Sequence, residues 1–172
     1  MALQYFTLFH VFVSLVGMAA GFGLLSGLVA GKLLPRWTAA YLATTAATSV
    51  TGFFFPFNGF TPGIALGIVS VPVLAAASYA LYVRRLAGTG MTTVFVVGAV
   101  LAQYLNCLVL VTQLFQKVPA MAELAPTQSE PPFAATQLVV LAAFVWLGYA
   151  AIRSLAPYTC PPRTPAPAST AE

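Results

Sequence analysis

Apolar stretches long enough to cross a bilayer recur five times along this chain, and that recurrence leaves few folds open to it. A membrane helix needs about 20 mostly apolar residues. The stretches cover roughly residues 5–30, 37–55, 64–83, 91–115 and 133–152. Between them lie the residues that end helices. Residues 31–36 hold Gly, Pro and two charges, and 56–63 hold two prolines and two glycines. Arg84 and Arg85 with Gly88 and Gly90 close the third stretch, and 117–132 carries Pro119, Pro126, Pro131 and Pro132.

Composition removes the alternatives. Only 6% of the 172 residues are charged, and the mean hydropathy is +0.91. Soluble domains carry about 25% charged residues, so this chain cannot cover a water-facing globule. Two cysteines are too few for a disulfide scaffold, and we assign no role to Cys107 or Cys160. The net charge of +4 comes from scattered Lys and Arg rather than a basic patch, which argues against nucleic acid as a partner. The expected fold class is therefore all-α: a polytopic transmembrane helix bundle of five spans over residues 1–156. A disordered tail rich in Pro, Ala, Thr and Ser follows over 157–172. The first stretch lacks a basic leader and exceeds the about 7–15 residues of a signal-peptide core, so it reads as a span.

The basic residues orient the bundle. Lys32, Arg36, Arg84, Arg85, Arg153 and Arg163 fall on one side if there are five spans, and Lys117 alone falls on the other. The positive-inside rule then places the N-terminus outside and the C-terminus in the cytoplasm. An even span count would put Arg153 and Arg163 with Lys117 and weaken the bias.

Two stripes of small residues in the first span predict close helix packing. One is His10, Ser14, Gly17 and Gly21; the other is Gly23, Gly27 and Gly31. They serve packing within the chain or, alternatively, association with a membrane partner subunit or a second copy through Gly17/Gly21 or Gly23/Gly27/Gly31. The second span carries Thr44, Thr45, Thr48, Ser49 and Thr51, whose hydroxyls are expected to bond back to carbonyls one turn earlier. The competing reading is a hydroxyl-lined solute path.

The fourth span adds Gln103, Asn106, Gln113 and Lys117, which share about an 80° arc of a helix. Amides facing lipid are costly, so this arc is expected to face the bundle interior or a wet cavity. The deduced topology gathers His10, Asn58, Gln113, Lys117, Gln128, Glu130 and Gln137 toward the outside, with Asn106 deeper on the same stripe. Phe53, Phe54, Phe55, Phe57 and Phe60 ring that end, as an aromatic belt or a ligand wall. Asn106 and Gln113 would supply hydrogen bonds, Lys117 would attract an anionic or carbonyl group, and His10 and Glu130 would set pH dependence. The chain has no phosphate loop, nucleophile elbow or HExxH motif. No catalytic residue and no metal site is expected.

Two runs carry a resemblance: TSVTGFFFPF (48–57) and LAPTQSEPPF (124–133). Together with Tyr104, Leu105, Asn106, Gln113, Phe115, Lys117, Val118 and Pro119, they resemble segments of an uncharacterised family of small multi-pass bacterial inner-membrane proteins. The resemblance covers most of residues 5–155 and implies an inner-membrane location, with no activity or catalytic residues attached. The leading expectation is an integral inner-membrane protein serving as a non-catalytic binding or accessory subunit, without a cofactor, whose outward polar site takes a small ligand or a partner. Two alternatives stand beside it. One is a membrane redox component holding quinone or haem near His10; the other is a small-solute permease acting as a dimer.

Overall fold

A computed structural model describes residues 2–55 and 62–159. These residues form helices and connecting turns, with no strand among them. The helices are α1 (Ala2–Val29), α2 (Pro35–Gly52), α3 (Pro62–Ser78), α4 (Gly88–Lys117), α5 (Pro119–Leu124) and α6 (Pro131–Thr159). A π-helical turn, Tyr79–Val83, continues α3. The short α5 was not expected.

Four segments are long and apolar enough to cross a membrane: Leu3–Val29, Ile64–Val83, Gly88–Lys117 and Pro131–Leu155. The expected second span falls short. α2 is a helix of 18 residues, but Thr and Ala dilute its apolar content and it opens on Pro35 and Arg36. All five long helices therefore exist, while four have the composition of a span.

The helices also outrun the apolar windows, because backbone hydrogen bonding does not stop where hydropathy does. Pro35, Pro119 and the Pro131-Pro132 pair stand at helix starts, where a missing N–H costs nothing. α6 continues past Arg153 to Thr159, so the first three residues of the expected tail are helical. Residues 160–172, with Cys160 and Arg163, lie outside the described residues. α1 ends in a two-bond C-terminal cap: Gly31 N–H donates to Leu28 O (3.0 Å) and Lys32 N–H to Gly27 O (2.8 Å). Gly31 has φ of 69°, a left-handed turn that suits glycine. It is thus the stop signal of α1, not the third member of a helical stripe.

α1, α2, α3 and α4 form a closed ring in chain order, with α4 meeting α1 again. α6 lies across the seam between α1 and α4. Leu24, Leu28, Tyr41, Phe95, Val96 and Gln103 are enclosed at the centre. Outside, the bundle is coated with exposed large apolar side chains, among them Phe9, Phe12, Ile68, Val97, Val139, Val145 and Trp146. An apolar coat around a core that contains amides and hydroxyls is the arrangement lipid favours.

Candidate functional site

The polar residues sort into two groups, one expected and one largely not. The expected group lies at the end formed by the start of α1, the end of α2, the end of α4 and the start of α6. Three contacts set the level. His10 bonds Thr51, Phe6 meets Phe55, and Phe115 meets Phe133.

His10 is half-buried between α1 and α2. Its Nδ1 lies 2.9 Å from Thr51 Oγ1, and Phe55 stands edge-on to its ring at 5.1 Å. Phe6, one turn earlier on the same face of α1, packs on Phe55 at 5.0 Å. Thr51 has a single hydroxyl proton, and its oxygen sits 2.7 Å from Ala47 O. Two oxygens that close would repel without a proton between them, so Thr51 donates to Ala47 and accepts from His10. The neutral imidazole therefore carries its proton on Nδ1. Nε2 keeps a lone pair and has no hydrogen-bond partner among the described residues.

Around α4 and α6, Gln137 Nε2 donates to Leu108 O at 3.3 Å, with Thr112 Oγ1 at 3.5 Å. Its Oε1 is buried without a partner. Asn106 is half-buried, whereas Gln113 and Lys117 are exposed. The arc expected to face inward thus splits: Gln103 is enclosed, and the outer members reach the surface. α6 meets α4 on the Phe115 side, and the rest of the last turn of α4 stays exposed. Lys117 sits in that turn, where a cation complements the unpaired carbonyls.

Glu130 caps α6. Its carbonyl accepts from Phe133 and Ala134, and its carboxylate accepts from Thr127 N–H (3.1 Å), Thr127 Oγ1 (2.9 Å) and Ser129 N–H (3.1 Å). Gln128, half-buried, takes a φ of 60° to close this turn. The carboxylate is thereby turned toward its own loop rather than toward Lys117 or His10. Desolvation pushes its pKa up, but the hydrogen bonds from Thr127, its own amide and Ser129 outweigh this and hold it below the ordinary 4.5. Asn58 lies outside the described residues. The His10 group and the Gln137–Glu130 group share one end of the bundle, but no hydrogen bond or ring contact joins them among the described residues.

The second group is at the centre of the ring, and of its members only Gln103 was expected to face inward. Tyr41 is fully buried and donates its hydroxyl across the bundle to Ala99 O at 2.9 Å. Gln103, also fully buried, donates Nε2 to Met18 O at 3.0 Å. Its Oε1 has no hydrogen-bond donor and rests on the backbone of Gly21, where a β-carbon would stand 2.0 Å away. Thr44 and Thr51 bond back to their own helix as expected, but the buried hydroxyls of Thr45 and Thr48 find no partner. These two fall on the Tyr41 stripe of α2 (41, 45, 48), which faces inward. Tyr41 had no motif to announce it; the signal available was its helical spacing with the threonines.

The glycine stripes are filled from within the chain. Gly17 and Gly21 admit Thr44 and Gln103, while Gly23 admits the Trp37 ring and Gly27 admits Leu34. No three His, Cys, Asp or Glu side chains gather as a metal-holding group among the described residues. No protein family, curated protein or solved structure matches the chain.

Proposed function

We propose that the chain is a five-span integral protein of a bacterial cytoplasmic membrane, N-terminus outside, which acts by binding rather than by bond-making. Its outward end would hold a small ligand or a partner subunit at His10. The observation that carries this reading is the state of His10: Thr51 orients the ring, Phe55 stands edge-on to it with Phe6 packed behind, and Nε2 has no partner among the described residues. A histidine serving packing alone has no need of a ring nitrogen left without a partner.

The fifth span is supported by how α2 distributes its residues. Thr38, Tyr41 and Thr45 are buried, while Trp37, Val50 and several alanines face outward. Eighteen residues make a helix about 27 Å long, close to the roughly 30 Å of hydrocarbon. Polar-inward, apolar-outward patterning suits lipid on its outer face. Counting α2 also places six bases on one side.

Topology is tested by thiol labelling in a Cys107→Ala, Cys160→Ser background. Ser129→Cys should react with an impermeant maleimide on intact cells, and Ala87→Cys only after permeabilisation. The reverse pattern refutes the orientation. The site is tested by native mass spectrometry from mild detergent. A ligand or subunit retained by the wild-type chain and lost in His10→Ala and Gln113→Leu supports it, and identical spectra refute it.

A further inference from the structure

The proton position on His10 restricts what the outer site can recognise. With Nδ1–H committed to Thr51 and the Thr51 proton committed to Ala47, Nε2 presents a lone pair that no described residue takes up. It accepts hydrogen bonds and cannot donate one while neutral. His10 lies inside the apolar segment Leu3–Val29, which puts it within reach of a ligand dissolved in the bilayer. Phe6 and Phe55 offer ring faces and edges beside it, which suit a flat aromatic body.

We infer that this site binds the hydroxyl of a quinol-type aromatic dissolved in the bilayer, in preference to the corresponding quinone. The inference rests on the reading of His10 as ligand-facing. A quinol donates its O–H to Nε2. A quinone has only carbonyl oxygens to offer, so lone pair meets lone pair. No electron or proton needs to leave the bound molecule for this preference to exist.

The full-length protein in phospholipid nanodiscs is equilibrated anaerobically with a short-chain alkyl benzoquinol, and separately with its oxidised benzoquinone. Protein-free nanodiscs correct for partition into lipid. The quinol should bind about tenfold more tightly, the worth of one hydrogen bond gained against one missing. His10→Ala should lose this protein-dependent binding. Thr51→Val keeps the side-chain shape but releases the imidazole to carry its proton on either nitrogen. It should keep binding the quinol while the preference falls toward one. Equal binding of both forms by the wild type overturns the inference, as does an unchanged preference in Thr51→Val. Native mass spectrometry separates the two levels of the argument. A His10-dependent ligand of other chemistry, such as a phospholipid amine, leaves the outer site standing and removes the quinol. No His10-dependent ligand of any kind removes both.

Discussion

Substituting Gly21 by alanine attacks the tie between α1 and α4 at its tightest point. The new methyl would lie 2.0 Å from Gln103 Oε1, 2.4 Å from its Cδ and 2.8 Å from its Nε2. Gln103 is 0% exposed, so its amide has no open space to swing into. It must leave, and the Nε2 bond to Met18 O goes with it. Interhelical hydrogen bonds in membranes are worth about 0.6–2 kcal/mol. An amide left buried without partners costs about 1–3 kcal/mol, and overpacking costs a similar amount. These terms overlap, and the better helix propensity of alanine returns up to about 1 kcal/mol. The net loss should be roughly 2–4 kcal/mol. Reversible unfolding in mixed SDS and mild-detergent micelles, followed by circular dichroism, measures it. The double variant Gly21→Ala, Gln103→Ala should recover much of the loss, because one methyl then occupies space the amide has vacated. A coupling of at least about 1 kcal/mol is expected. A cost under about 0.5 kcal/mol, or additive single effects, would refute the clasp.

Gly23→Ala provides the contrast in the same assay. Its methyl would meet the Trp37 ring at 2.5 Å, but Trp37 is 48% exposed and can turn outward, so the cost should stay below about 1 kcal/mol. Tyr41→Phe deletes the hydroxyl that reaches Ala99 O and should cost about 1 kcal/mol, read as a shift in the same unfolding midpoint. Glu130 gives a pH prediction with a definite sign. Its pKa is depressed by folding, so the order it gives the 127–130 turn is present above pH 4.5 and is lost as pH falls through the lowered value. Exchange of the Thr127 and Ser129 amides should therefore be slow near neutrality relative to its intrinsic rate and accelerate in acid, and Glu130→Gln should flatten that dependence.

The fold was legible because apolar length and helix-breaking residues are local properties. Each of the five long helices begins and ends within a few residues of the signals that delimit it. What local reading missed followed from bonding that hydropathy does not record. The π-helical turn at Tyr79–Val83 closes with Arg84 N–H on Tyr79 O and Leu86 N–H on Ala80 O, and puts Arg85 and Leu86 at positive φ. Nothing in the residue types there demands it. α2 shows the opposite limit. Its helical character is plain, but its average hydropathy falls below that of the four apolar helices, since it carries threonines that are turned inward.

The candidate site was legible by end of the bundle and not by partner. Antiparallel connectivity alone brings His10, Gln137, Glu130 and Lys117 to one end. Which atoms then meet depends on helix rotation, which a sequence stripe fixes only where both faces are distinct. The amide arc of α4 shows this. Gln103 found a groove made by Gly21 and was buried, whereas Gln113 and Lys117, ten and fourteen residues on, are exposed. Glu130 shares its end of the bundle with Lys117 and His10, but its own turn offers donors at 2.9 and 3.1 Å with far less chain to order. His10 stands at the expected end of the bundle, and its partner Thr51 comes from 41 residues away, across the α1–α2 hairpin that turns at Gly31. The same hairpin register decides which imidazole nitrogen holds the proton. A turn some twenty residues away from His10 thus determines what kind of hydrogen bond its other nitrogen can make.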